Sequence, residues 1–172
     1  RLLALGAGAA AAGTLAGFSA RQAGAQLQLD VTPGNIRPIP IALPDFVTDP
    51  GVPDPGMGRN ITQIITSNLR RSGLFKPVDQ AAYVERISDF NRTPQFASWR
   101  QIGADALVVG RLERQGNNVT AQFHLWDVTS GARLHGQQTS TGPDNYRRLA
   151  HIISDQIYQR LTGEMGYFDT RI

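Results

Sequence analysis

Cysteine is absent from the 172-residue chain. Its absence excludes a disulfide framework, a thiolate metal site, a cysteine nucleophile and a lipid-modified cysteine at the start of a mature protein. Histidine is scarce: His124, His135 and His151 stand far apart, with no i, i+4 partner and no H-E-x-x-H spacing, so no metal site is expected. G-x-S-x-G, the Walker loop and a G-x-G-x-x-G after a strand are also missing. Gly56-Met57-Gly58 opens a helical pattern but lacks the following lysine of a phosphate loop, and reads as loop plus helix start. Asp45, Asp49 and Asp54 lie in or beside one loop without the spacing or closing glutamate of a calcium-binding EF-hand, and read as solvated acids. No catalytic group, metal or cofactor is therefore expected. Charge of one sign is lacking as well. Of 17 basic residues two, Arg1 and Arg21, fall in the leader, which leaves 15 against 14 acids. Only Arg70-Arg71 and Arg147-Arg148 are adjacent, so no dense stripe is present to neutralise a run of phosphates, and nucleic acid is not an expected partner.

What is present begins with an Ala- and Gly-rich apolar run, LLALGAGAAAAGTLAGF, preceded by Arg1 and followed by Ala23-Gly24-Ala25. That order of charged start, apolar middle and small-residue site is a secretory signal peptide, expected to cover residues 1–25 with cleavage before Gln26. A transmembrane helix is the competing reading, but the glycines lower helix propensity. With 41% hydrophobic residues the remainder can bury a core, and its length fits one domain.

Along that remainder, QLQLDV alternates polar and apolar residues like a strand, and Thr32-Pro33-Gly34 turns after it. IPIALPDF, residues 39–46, is apolar but holds Pro40 and Pro44, which predicts an edge or interrupted strand. A Pro- and Gly-rich loop follows. Ile61, Ile64, Ile65 and Leu69 fall at helical spacing over residues 60–72, and Gly73 can end that helix. Residues 74–78 read as a short strand and 94–102 as a short helix. ADALVVGRL, residues 104–112, should be a central strand buried on both faces. Val119, Ala121, Phe123 and Leu125 alternate with Thr120, Gln122 and His124, the mark of a strand with one wet face. Turns at 115–118 and 129–131 make residues 105–141 a three-stranded antiparallel meander. The last helix spans 145–162, with Leu149, Ile152, Ile153, Ile157 and Leu161 on one face, Asp144 as its start cap and Gly163 at its end. Trp99 and Trp126 lie inside apolar elements and are expected in the core. The fold expected is α/β (α+β): a single mixed β-sheet with an antiparallel meander, covered by two long and one or two short helices.

Four stretches in order, ITSNLRRSGLFKP, W-x3-GADALVVGRL, LWDVTSG and HIISDQIYQRLTGEMGYFDTRI, resemble the TolB family over residues 36–172. The resemblance implies a periplasmic component of the Tol-Pal system, a non-enzymatic protein that supports outer-membrane integrity and envelope constriction at division. It also implies an N-terminal α/β domain over residues 35–165, with 166–172 leading toward a C-terminal β-propeller. In the family the propeller contacts Pal, and the flexible start of the mature chain binds the C-terminal domain of TolA. Here that arm is residues 26–34: Gln26, Leu27, Gln28, Leu29, Asp30, Val31, Thr32, Pro33 and Gly34. Its alternating leucines and valine also suit strand addition to a partner's sheet. Two other classes remain open at this point: a periplasmic small-molecule binder or enzyme, and an accessory domain of cell-wall synthases.

Overall fold

The structure, a computed structural model, describes residues 27–28 and 36–170. The expected signal peptide lies outside them. One mixed sheet carries the fold. Its strands are β1 (Ile39–Ala42), β2 (Val47–Thr48), β3 (Phe75–Pro77), β4 (Ala106–Gln115), β5 (Asn118–Asp127) and β6 (Arg133–Thr141), and its helices are α1 (Met57–Arg71), α2 (Phe96–Gln101) and α3 (Tyr146–Thr162). The order across the sheet is β3-β1-β4-β5-β6, with β2 pairing β4 beyond the end of β1. The β1 contacts to β3 and β4 are parallel, while β4-β5-β6 is the predicted antiparallel meander.

The first half of central β4, residues 106–110, is buried on both faces, as its mostly apolar run predicts. Ala106, Val108 and Leu112 face α1 and α3 in one cluster with Ile61, Ile65, Leu69, Ile153 and Ile157. Leu107 and Val109 face the other way, into a second cluster with Trp99, Phe90 and Val128. Each fully buried Leu or Ile contributes roughly 1.5–3 kcal/mol of transfer free energy, so the first cluster dominates cohesion and the second fixes what lies behind the sheet. Residues 78–104, with α2, form that rear cover.

The helices end where their glycines predict. Gly73 and Gly163 adopt left-handed backbone, at φ 75° and 79°, which costs glycine little. Helix α1 starts earlier than expected, at Met57, because Gly58 can enter a slot no larger residue fits: a Cβ there would lie 2.2 Å from the Phe46 carbonyl oxygen and 2.4 Å from Thr48 Oγ1. Phe46 is held in that slot by donating its N–H to Thr62 Oγ1 at 3.1 Å. On its other side the Phe46 ring closes on Gly110 of β4, where an added Cβ would meet ring carbons at 2.3 Å.

Three expectations are corrected. Of the two alternatives expected for the 39–46 run, the interrupted strand holds, since strand β1 stops at Ala42 and residues 43–46 are not strand, but the edge does not: β1 is interior, between β3 and β4. Pro40 is tolerated because its side of the β4 ladder first pairs at Ile41↔Ala106, and its carbonyl still accepts from Asp105 N–H at 2.9 Å. Asp144 does not cap α3: it lies in a 3-10 turn over Pro143–Asn145, and the Asn145 side chain makes no capping bond either. The supposed wet face of β5 is partly roofed. Thr120 is fully buried and bonded to Ser140 Oγ at 2.8 Å and Gln115 Oε1 at 3.1 Å, and His124 stacks on Phe90 with ring centroids 4.3 Å apart.

Candidate partner-binding surface

Of the predicted arm, Leu27 and Gln28 are described; Gln26, Leu29, Asp30, Val31, Thr32, Pro33 and Gly34 lie outside the described residues. Leu27 is half-buried against the main core. Exposed Gln28 places Nε2 3.8 Å from where a Cβ would stand on Gly163, which sets the base of the arm at the C-terminal end of α3.

The segment after α3 is fastened alongside that helix. Asp155 accepts the N–H of Phe168 at 2.7 Å and of Asp169 at 3.0 Å, and Arg148 pairs with Asp169 at 3.4 Å. Gly166 passes so close that a Cβ would meet Asp155 Cα at 2.4 Å. Tyr158 meets Tyr167 and Phe168 edge-on with centroids 5.6 and 5.9 Å apart, and Tyr167 and Phe168 lie tilted against each other at 4.6 Å. Both ends of the described chain therefore gather on α3. Within the stretch expected to lead toward a further domain, Gly166, Phe168 and Asp169 thus lie against α3 through Asp155 and Arg148.

The other candidates take structural roles. Trp99 is fully buried and donates Nε1–H to Glu85, whose carboxylate also accepts Gln95 N–H at 2.9 Å at the start of α2. Trp126 is half-buried against the rear cluster, edge-on to His124. Gly56-Met57-Gly58 leaves no room for an anion, since Asp54 takes Gly56 N–H at 2.8 Å on its side chain and Met57 N–H at 3.1 Å on its carbonyl. Asp45 pairs instead with Arg59 at 3.5 Å and accepts from Gln80 at 3.1 Å. The histidines do not meet. His124 faces the rear cover, His135 lies against Phe123, and His151 sits on α3 beside Asn68. Burial lowers the His124 pKa below its ordinary value of 6.5, and the Arg133 guanidinium, 3.3 Å from Nε2, lowers it further. Burial raises the Tyr83 hydroxyl pKa, opposed by the Leu43 N–H it accepts at 2.9 Å.

The sheet edges differ. Edge β3 is three residues long and ends in Pro77, whereas β6 is nine residues long and mostly exposed along RLHGQQTST. Among the described residues no helix is long and apolar enough to cross a membrane. Among the described residues, Trp99 is buried, Trp126 is half-buried, the histidines lie apart, and the longer open sheet edge is the mostly exposed β6.

Residues 27–134 match the family model described as the TolB amino-terminal domain. Among solved structures, the chain is similar to TolB from Acinetobacter baumannii, at 25% identity and a TM-score of 0.64, over 84% of this chain and 33% of that one. The chain thus spans about a third of the length of that relative. It also shares a fold with lipoprotein GNA1162 from Neisseria meningitidis, at 19% identity and a TM-score of 0.50, over 73% of this chain and 100% of that one. The LpoB C-terminal domain from Salmonella enterica aligns at 12% identity and a TM-score of 0.47, over 61% of this chain and 82% of that domain.

Proposed function

Because this chain belongs to the TolB amino-terminal domain family, we propose that it is a non-enzymatic interaction module of the Tol-Pal system, working in the periplasm. The match over residues 27–134 carries the reading, and the likeness to a TolB over 84% of the chain supports it. In this role the arm of residues 26–34 is the contact for the C-terminal domain of TolA, and a propeller in the whole protein serves Pal. Through both contacts the protein supports outer-membrane integrity and envelope constriction at division.

The placement of Leu27 supports an arm with two alternatives. Docked, Leu27 keeps its half-buried contact with the core; released, residues 26–34 present Leu27, Leu29 and Val31 at strand spacing to a partner's sheet edge. Leaving the core exposes one partly buried leucine, a cost below the roughly 1.5–3 kcal/mol of full leucine burial, which a strand-adding contact can offset. The polar groups fit a binding module, because Glu85, Asp155, His124 and His151 are all engaged within the fold.

Calorimetric titration of the TolA C-terminal domain into chains starting at Gln26 and at Asn35 tests the proposal. Binding by the longer chain and none by the shorter is the expected result. Equal binding by both moves the contact out of the arm, and absence of binding in both refutes the partner assignment.

A further inference from the structure

The charged residues of α1 and α3 make a pattern that the arm does not use. Helix α1 contains no acid, and the first acid within α3 is Asp155, its tenth residue. Between them runs a groove of about 350 Å³ lined by Asn60, Gln63, Ser67, Arg71, Arg147 and His151. Arg59 and Arg148 are paired with Asp45 and Asp169, but Arg71 and Arg147 form no ion pair among the described residues. Asp144, the acid nearest Arg147 in sequence, does not line the groove. Two guanidiniums separated by 76 positions in sequence thus face one cleft.

The floor is set by a buried network. Ser154 spends its hydroxyl hydrogen on the Ala150 carbonyl at 2.7 Å, so its oxygen must accept from Asn68 Nδ2 at 3.0 Å. That requirement orients the Asn68 amide, which is 3% exposed, and directs its second N–H to His151 Nδ1 at 3.0 Å. An Nδ1 that accepts leaves the ring proton on Nε2, so His151 meets the groove as a donor. Guanidiniums, an imidazole N–H, a hydroxyl and side-chain amides together form a donor-rich cleft with no carboxylate of its own, whose complement is a row of carboxylates.

We propose that the α1–α3 groove docks an acidic segment of a partner protein, a second contact independent of the arm. A membrane surface is the poorer fit. The exposed large apolar residues that could anchor one, Ile36, Val84, Met165 and Tyr167, lie outside the groove lining.

The test is fluorescence anisotropy of a labelled oligo-glutamate peptide titrated with this chain. Oligo-glutamine of equal length and phosphatidylglycerol vesicles in phosphatidylcholine are run in parallel, with amide and imidazole shifts followed by NMR. Oligo-glutamate should bind, more weakly as salt rises because the guanidiniums are exposed, and should shift His151 and its α1 neighbours. The double variant Arg71→Gln/Arg147→Gln should lose about tenfold in affinity while keeping the wild-type urea midpoint. Unchanged affinity in that variant, equal binding of oligo-glutamine, or binding to vesicles alone overturns the proposal. Should the variant unfold, the wild-type shift map decides, and shifts away from α1 and α3 overturn it.

Discussion

Replacing Gly58 by alanine sets two effects of opposite sign against each other. Alanine in a helix interior is favoured over glycine by roughly 1 kcal/mol, so propensity alone predicts stabilisation. The slot around Gly58 predicts the reverse. The new methyl would stand 2.2 Å from the Phe46 carbonyl oxygen and 2.4 Å from Thr48 Oγ1, roughly 1 Å inside ordinary contact distance. The first of those atoms is backbone, fixed by the Phe46 N–H bond to Thr62 and by the Phe46 ring seated on Gly110. Relief requires α1 to lift off the sheet or Phe46 to withdraw. Overpacking of this kind costs about 1–3 kcal/mol, and loss of the Thr62 bond about 0.5–1.5 kcal/mol more. The net expectation is destabilisation of roughly 0.5–3.5 kcal/mol, read as a lower urea midpoint at unchanged slope by tryptophan fluorescence and far-ultraviolet circular dichroism. Adding Thr48→Ala removes the softer clash and should recover only part of the loss. A single variant as stable as the parent, or more so, would refute the slot argument.

Three further outcomes follow from named contacts. Glu85→Ala leaves the Trp99 indole N–H and the Gln95 amide without their acceptor and should cost about 1–3 kcal/mol, checked by urea titration with Trp99 emission as the reporter. Asp155→Ala should free the Phe168 and Asp169 amides, giving faster hydrogen exchange there while β4 amides stay protected. The folded-state pKa of His124 is held below 6.5 by burial and by Arg133, so the unfolded chain takes up the proton first. Stability should fall as pH drops from 6.5 toward the folded-state value. His124→Gln should flatten that slope in urea midpoints measured against pH, and an unchanged slope would contradict the assignment.

Features that depend only on neighbours along the chain were legible before any fold was known. Apolar spacing in α1 and α3 and the left-handed ends at Gly73 and Gly163 are local rules, and the structure follows them; in β5 the alternation holds from Ala121 onward. The mostly apolar run at the start of β4 pointed to a strand covered on both sides, because such a strand presents apolar residues to both faces. The family could likewise be read from ordered motifs, and the match over residues 27–134 agrees. Other features depend on which distant groups meet, and these come from the packed fold alone. Pro40 argued for an edge, but whether its missing N–H matters depends on where the neighbouring ladder begins, a property of β4 rather than of β1. Thr120 looked solvated until Ser140 and Gln115 closed around it. Arg70-Arg71 and Arg147-Arg148 looked like isolated pairs, and only the packing of α1 on α3 sets Arg71 and Arg147 along one groove. Periodicity encodes which face of an element is buried; the partner across that face is chosen by the fold as a whole.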